Sequence, residues 1–142
     1  MFQNSMFDQG ALPTLSRAIA FTEERQRLIA QNIANAETPG YQSQDLSEDR
    51  FNLRLKEAIY NRRYGNPRYY EFRDDNEMND NSGFLHVRPF NNSMGAMKHS
   101  QNNVDIDVEN AKMAKNAMFH KTMVQLLSSQ YQKMQSAIRG NF

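Results

Sequence analysis

The sequence predicts a mainly α-helical fold. Long N- and C-terminal helices pair as an antiparallel, coiled-coil-like hairpin around a loop-rich middle with one short helix and short β-strands. Three observations lead there. Leu12, Leu15, Ile19, Thr22, Gln26, Ile29 and Ile33 fall at alternating steps of three and four, a period that keeps one helix face turned to a partner. Ile106, Asn110, Met113, Ala117, His120, Val124, Leu127, Tyr131, Met134 and Ile138 repeat that period near the C-terminus. Between the two helices the periodicity lapses for about sixty residues.

Composition narrows the class. The chain has 142 residues and a net charge of +1, which gives no long-range attraction to nucleic acid or membrane. Its hydrophobic fraction is 39% and it has no Trp, enough for one helix–helix seam but little for a large independent core. With no Cys, disulfides, thiolate zinc sites and thiol nucleophiles are excluded. No apolar run approaches the roughly 20 residues of a membrane span. The first ten residues lack the basic start and apolar centre of a cleaved signal peptide, so any export is expected to use another route.

Residues 1–11 read as a flexible N-terminal tail. Residues 12–41 form the first helix and its stop. Pro13 suits the first turn, and Pro39 drives Thr38 out of the α region. Gly40 permits a sharp change of direction. Asn32 and Asn35 share a face of the last turn, where their amides could satisfy open carbonyls or bond a neighbouring chain.

Residues 42–103 form an irregular middle. Ser47 or Asp49 could cap a short helix to about Tyr60, with Phe51, Leu55, Ala58 and Ile59 as its apolar face. Residues 68–72 and 84–90 suit short strands; 74–83 and 91–103 suit loops. Residues 104–142 form the second long helix, with Asp105, Asp107 and Glu109 favoured at its positive end and Gly140 as its stop. At 1.5 Å per residue the helices are roughly 35 and 50 Å long, so the shorter leaves part of the longer uncovered. A second row, Met118, Phe119, Thr122, Met123 and Leu126, widens that apolar surface. Both features imply partner subunits.

The candidates for chemistry each have a plainer explanation. His86, His99 and His120 are isolated in sequence, with no metal-ligand spacing, and His120 suits packing at the seam. Asp105, Asp107 and Glu109 alternate like calcium ligands, but they lack the Gly and closing Glu of a calcium loop and better serve the helix dipole. Residues 50–73 interleave Arg50, Arg54, Lys56, Arg62, Arg63, Arg68 and Arg73 with Tyr60, Tyr64, Tyr69, Tyr70 and Phe72, as a single-strand nucleic-acid binder would. Asp74, Asp75, Glu77 and Asp80 follow and would repel phosphate, which favours a protein interface or internal charge pairing. There is no phosphate loop, nucleophile elbow or metal motif, so neither an enzyme nor a cofactor is expected.

Asn32-Ile33-Ala34-Asn35-Ala36-Glu37-Thr38-Pro39-Gly40-Tyr41 closely resembles the N-terminal motif of bacterial flagellar rod and hook proteins. The segment from Asn102 to Ala114 is similar to the small proximal-rod member of that family. So are Val124-Gln125-Leu126-Leu127 and Ala137-Ile138. The likeness covers about residues 12–45 and 100–139; residues 46–99 match nothing recognised. It implies a structural subunit of the flagellar basal body that serves cell motility. The chain would be exported through the flagellum's own type III apparatus and built into the hollow proximal rod that crosses the periplasm and transmits torque. The neighbours implied are further copies, other proximal-rod proteins, a FliE-type adaptor, the export gate and the MS-ring, with no nucleic acid and no membrane span.

Within that frame Leu15, Ile19, Ile29 and Ile33 are expected to meet Val124, Leu127, Tyr131 and Ile138, with Met118 on the outer row. Asn32, Asn35, Thr38, Pro39, Gly40 and Tyr41 would set how the middle leaves the helix pair. Two other classes are compatible with the residues alone: a soluble helical-hairpin adaptor or secretion chaperone, and a nucleic-acid binder acting through residues 50–73.

Overall fold

A computed structural model describes residues 11–65, 72, 78–81, 84–91 and 103–140. Helix α1 spans Leu12–Ala34 with Pro13 in its first turn, where a missing N–H costs nothing. It ends in successive tight turns: Ala36 N donates to Ile33 O, Thr38 N to Asn35 O and Tyr41 N to Thr38 O. Strand β1 is Gln44–Asp45. Helix α2 spans Glu48–Tyr64, capped by Ser47 Oγ accepting from Arg50 N at 3.2 Å. Strands β2 (Met78–Asn81), β3 (Phe84–Val87) and β4 (Phe90–Asn91) follow. Helix α3 runs Ile106–Arg139, opened by Asp105 and closed by Gly140 at φ 70°.

The long helices are antiparallel. Asn32 bonds Glu109, Gln26 bonds Asn116, and Thr22 bonds His120, so the register descends along α1 as it climbs α3. Continued one way, it brings Leu12 level with about Gln130, and the last turns of α3 run past the start of α1.

The middle is more ordered than its composition suggests. Helix α2 continues past Tyr60, with Arg62 and Arg63 in its last turn favouring the negative end of the dipole. β2 lies inside the stretch expected to be loop, and pairs antiparallel with β3: Met78 faces Val87 and Asp80 faces Leu85. Two anchors explain this. Met78 is buried, and Arg17 of α1 holds Asp80 Oδ2 at 2.9 Å. β1 and β4 pair antiparallel, Gln44 opposite Asn91, which places Asn91 in a strand too. Phe72 is buried but outside any strand. The expected tail at 1–10, the rest of the 68–72 strand and most of the 91–103 loop lie outside the described residues.

These elements build a core that the two-helix expectation lacks. Ala18, Phe21 and Leu28 of α1 pack with Leu46, Phe51, Phe72 and Met78, and Leu55, Leu85, Val87 and Met123 close the edges. The Phe21 and Phe51 rings stack at 4.1 Å with planes 10° apart, and Phe72 lies 6.1 Å from Phe51. Burying a side chain of this size contributes about 2–3 kcal/mol. Helix α1 therefore has two inward faces, one toward α3 and one toward the middle.

Candidate functional site

The turn after α1 is held through one amide. Asn32 is 1% exposed and all four of its hydrogen-bonding positions are filled. Its Nδ2 donates to Gln44 O at 2.8 Å and to Glu109 Oε2 at 2.9 Å. Its Oδ1 accepts from Gln44 N and from Tyr41 OH, both at 3.0 Å. One side chain thus fastens the end of α1 to the returning chain, to β1 and to the start of α3.

Its neighbours in the motif serve the turn itself. Asn35 caps α1, its Nδ2 donating to Gln31 O at 2.9 Å, and Thr38 Oγ1 lies 3.3 Å from Asn35 Oδ1. Pro39 and Gly40 are exposed, and Gly40 adopts φ 73°, the left-handed region that a side chain resists. Tyr41 is half-buried. Burial and the negative charge of Glu109 both raise its phenol above the ordinary value.

A charged network extends from Asn32. Glu109 Oε1 accepts from Lys112 Nζ at 2.7 Å, and Lys112 also reaches Asp45 Oδ2 at 3.1 Å. Arg25 Nε donates to Asp45 Oδ1 at 3.1 Å, and its Nη1 donates to Glu48, which also pairs with Lys115 at 3.0 Å. Carboxylates and cations alternate along the chain of bonds, as low-dielectric surroundings require. Burial opposes ionisation of Asp45, but Arg25, the Leu46 N–H and Lys112 outweigh it and hold the carboxyl below its ordinary value. Burial likewise opposes the Lys112 charge, and Glu109 and Asp45 outweigh that, raising it. Ser43 N donates to Asn103 Oδ1 at 2.8 Å beside this network, a further tie between the turn and the approach to α3.

The seam between the helices is polar along its middle. Asn116 Nδ2 donates to Thr22 O and to Gln26 Oε1, each at 2.8 Å. His120 Nδ1 lies 2.8 Å from Thr22 Oγ1, which itself donates to Ile19 O at 2.7 Å. Among the described residues no group of three His, Cys, Asp or Glu could hold a metal. His86 is exposed; His99 lies outside the described residues.

The apolar candidates divide. Leu15 and Ile29 are buried, while Ile19 and Ile33 are half-buried. The register places Ile29 and Ile33 opposite the start of α3, not opposite Val124, Leu127, Tyr131 and Ile138. Of those four, Leu127 is half-buried, and Val124, Tyr131 and Ile138 are exposed, Ile138 by 71%. Met118 is 73% exposed. The inward face of early α3 is Glu109, Lys112 and Asn116, rotated from the aliphatic row because those polar groups find bonding partners on α1 and β1. Asp105 does cap α3, its Oδ1 accepting from Asp107 N at 3.0 Å; Glu109 turns inward instead of merely serving the dipole.

In the basic–aromatic stretch Arg54 pairs with Glu57 at 3.0 Å, Tyr60 packs on Tyr64 at 4.7 Å, and Arg63 lies over the Tyr64 ring. Arg68, Arg73, Tyr69 and Tyr70 lie outside the described residues. No described helix is long and apolar enough to cross a membrane.

No protein-family model matches the chain. Curated relatives do, over most of their length and of its own. A flagellar basal body rod protein FlgB of Proteus mirabilis (strain HI4320) is 28% identical over 131 residues, 86% of this chain and 88% of the relative. FlgB of Borrelia hermsii is 29% identical over 118 residues, 81% and 85%. FlgB of Bacillus subtilis (strain 168) is 26% identical over 135 residues, 92% and 95%. These likenesses run through the middle as well as both ends, and they support neither an adaptor nor a nucleic-acid binder. With the paired terminal helices and the Asn32–Tyr41 turn they lead to one conclusion: over most of its length the chain is similar to the FlgB family of flagellar basal-body rod proteins.

Proposed function

We propose that this protein is a structural subunit of the flagellar basal body that forms part of the proximal rod, a hollow shaft that transmits torque and passes exported proteins. The observation that carries the reading is the near-full-length likeness to rod proteins, combined with a long helix whose last turns outrun its partner. The Asn32 clamp and the Phe21–Phe51 core make one subunit rigid. The exposed Val124, Tyr131 and Ile138 then seek cover from neighbouring subunits.

Repeated heterologous contacts of that kind build tubes and helical lattices. Further copies and other proximal-rod proteins would supply the lateral neighbours. A FliE-type adaptor, the export gate and the MS-ring would meet the rod base, and the chain would reach its place through the flagellar export apparatus. Leu15, Ile19, Ile29 and Ile33 would hold the subunit's own helix pair, and Met118, Val124, Leu127, Tyr131 and Ile138 would serve the lattice. Residues 50–73 would pair charges within the subunit or with a neighbour.

Detergent-resistant basal bodies purified from the native cell, probed with antibody against this chain, test the reading. Co-sedimentation with the rod is expected. A chain confined to the soluble fraction of cells that build flagella would overturn it.

A further inference from the structure

The stacked rings of Phe21 and Phe51 also line a cleft between α2 and α3, with a volume of about 350 Å³. Asn52 walls it on α2, and Met118, Phe119 and Thr122 wall it on α3. Met118 and Phe119 remain 73% and 43% exposed, so the α3 wall is left uncovered. Steps of four, three and four carry the α2 wall from Asn52 to Lys56, Ile59 and Arg63, all exposed. The same steps carry the α3 wall from Lys115 to Phe119, Thr122 and Leu126, again all exposed. Both edges therefore mix apolar groups with cations. Glu48, at the Lys115 end of the cleft, is already held by Arg25 and Lys115. Lys56 and Arg63 pair with no carboxylate among the described residues.

Independently of the rod-subunit reading, we propose that this cleft receives an acidic amphipathic helix from a different protein. Apolar side chains at helical spacing enter over Phe21 and Phe51 and cover Met118, Phe119 and Ile59. Carboxylates on the flank of that helix meet Lys56 and Arg63. Charge selects this occupant, because the rim offers spare cations and no spare carboxylate.

The described helices of a second copy lack the pattern. Helix α2 carries five cations against three carboxylates. Helix α3 has no carboxylate beyond Glu109, and at its start Ile106 and Val108 lie on opposite sides, so they cannot enter one cleft together. In α1 the large apolar residues Leu12, Leu15, Phe21, Leu28 and Ile29 are buried in its own subunit, and Glu24 is tied to Arg27.

Two synthetic helical peptides test this on the purified full chain. Both carry Leu at steps of three and four; one has Glu at the flanking positions and the other Lys. The Glu peptide is expected to bind at least about tenfold more tightly, with a margin that shrinks as salt rises. Lys56→Glu with Arg63→Glu is expected to reverse the preference, and Met118→Glu to weaken the Glu peptide about tenfold, both in chains of native helicity. Equal binding of the two peptides, or binding of neither, would overturn the proposal.

In native cells the photo-crosslinking substitution Asn52→p-benzoylphenylalanine identifies the occupant. The expected adduct is with another protein, mapped to a segment with carboxylates beside apolar residues at helical spacing. An adduct with a second copy of this chain or with lipid, or no adduct at all, would overturn the proposal.

Discussion

Asn32 holds Gln44 as a neighbouring strand would, Nδ2 donating to Gln44 O at 2.8 Å and Oδ1 accepting from Gln44 N at 3.0 Å. A side chain on a helix thereby completes the backbone bonding of β1, whose other edge pairs with β4. Asn32→Ala removes both bonds and strands Glu109 Oε2 and Tyr41 OH as well. We expect it to cost about 3 kcal/mol, because buried partners left unsatisfied cost more than the bond contributes. Asn32→Asp should be worse near neutral pH, since it sets a carboxylate against Glu109, and should recover in part as pH falls. Urea unfolding at two pH values checks both, and an Asp variant as stable as wild type at neutral pH would refute the clamp.

The stacked rings of Phe21 and Phe51 are the centre of the core. Phe51→Ala is expected to destabilise by about 4 kcal/mol, through lost transfer energy and the cavity left behind. Phe51→Leu keeps most of the volume and should cost about 2 kcal/mol. The exposed Leu53, two residues on, provides the control: Leu53→Ala should shift the denaturation midpoint little. Equal losses at 51 and 53 would mean that α2 does not pack on α1.

Gly40 separates backbone strain from packing. A Cβ built there meets nothing within 4 Å, yet φ is 73°. Gly40→Ala should therefore cost about 1 kcal/mol through the backbone alone, and Gly40→Asn noticeably less, because Asn tolerates the left-handed region. The same thermal-unfolding comparison for both variants decides it. An Ala variant as stable as wild type would mean that the turn after Pro39 relaxes to another conformation.

The reach of sequence reasoning can be judged at particular residues. The 3–4 period marks α1 and α3, Pro39-Gly40 marks the stop, and Ser47, Asp105 and Gly140 mark caps, because each signal acts within a few neighbouring residues. The polar seam did not emerge, because the aliphatic row beginning at Ile106 was the stronger pattern. Glu109, Lys112, Asn116, His120, Met123 and Leu127 also step by three and four, and only partners distant in sequence show that this row faces inward.

β2 was hidden for a similar reason. Met-Asn-Asp-Asn has the composition of a loop, and its strand depends on β3 and on Arg17, sixty-three residues away from Asp80. Phe21 falls outside the α1 row because it belongs to that helix's second face.

The charged network predicts how stability changes with pH. Asp45 is held below its ordinary value of 3.8, so the folded state favours its charged form. Its contribution is complete above the unfolded value and is lost as pH falls below about 3.8 and through the lower folded value. Lys112 is raised above 10.5, so its contribution is complete below that and is lost as pH climbs beyond it. Tyr41, raised above 10.0 in its neutral form, adds a loss in the same alkaline direction. The wild-type curve should therefore fall at both extremes.

Asp45→Asn should be less stable than wild type at neutral pH, because Arg25 and Lys112 lose their carboxylate. The gap should narrow below about pH 3.8, where wild type begins to lose the same charge. Urea midpoints measured for both chains across the acid range give the comparison. A gap that stays constant through that range would show that the Asp45 charge does not contribute to holding the turn against α3.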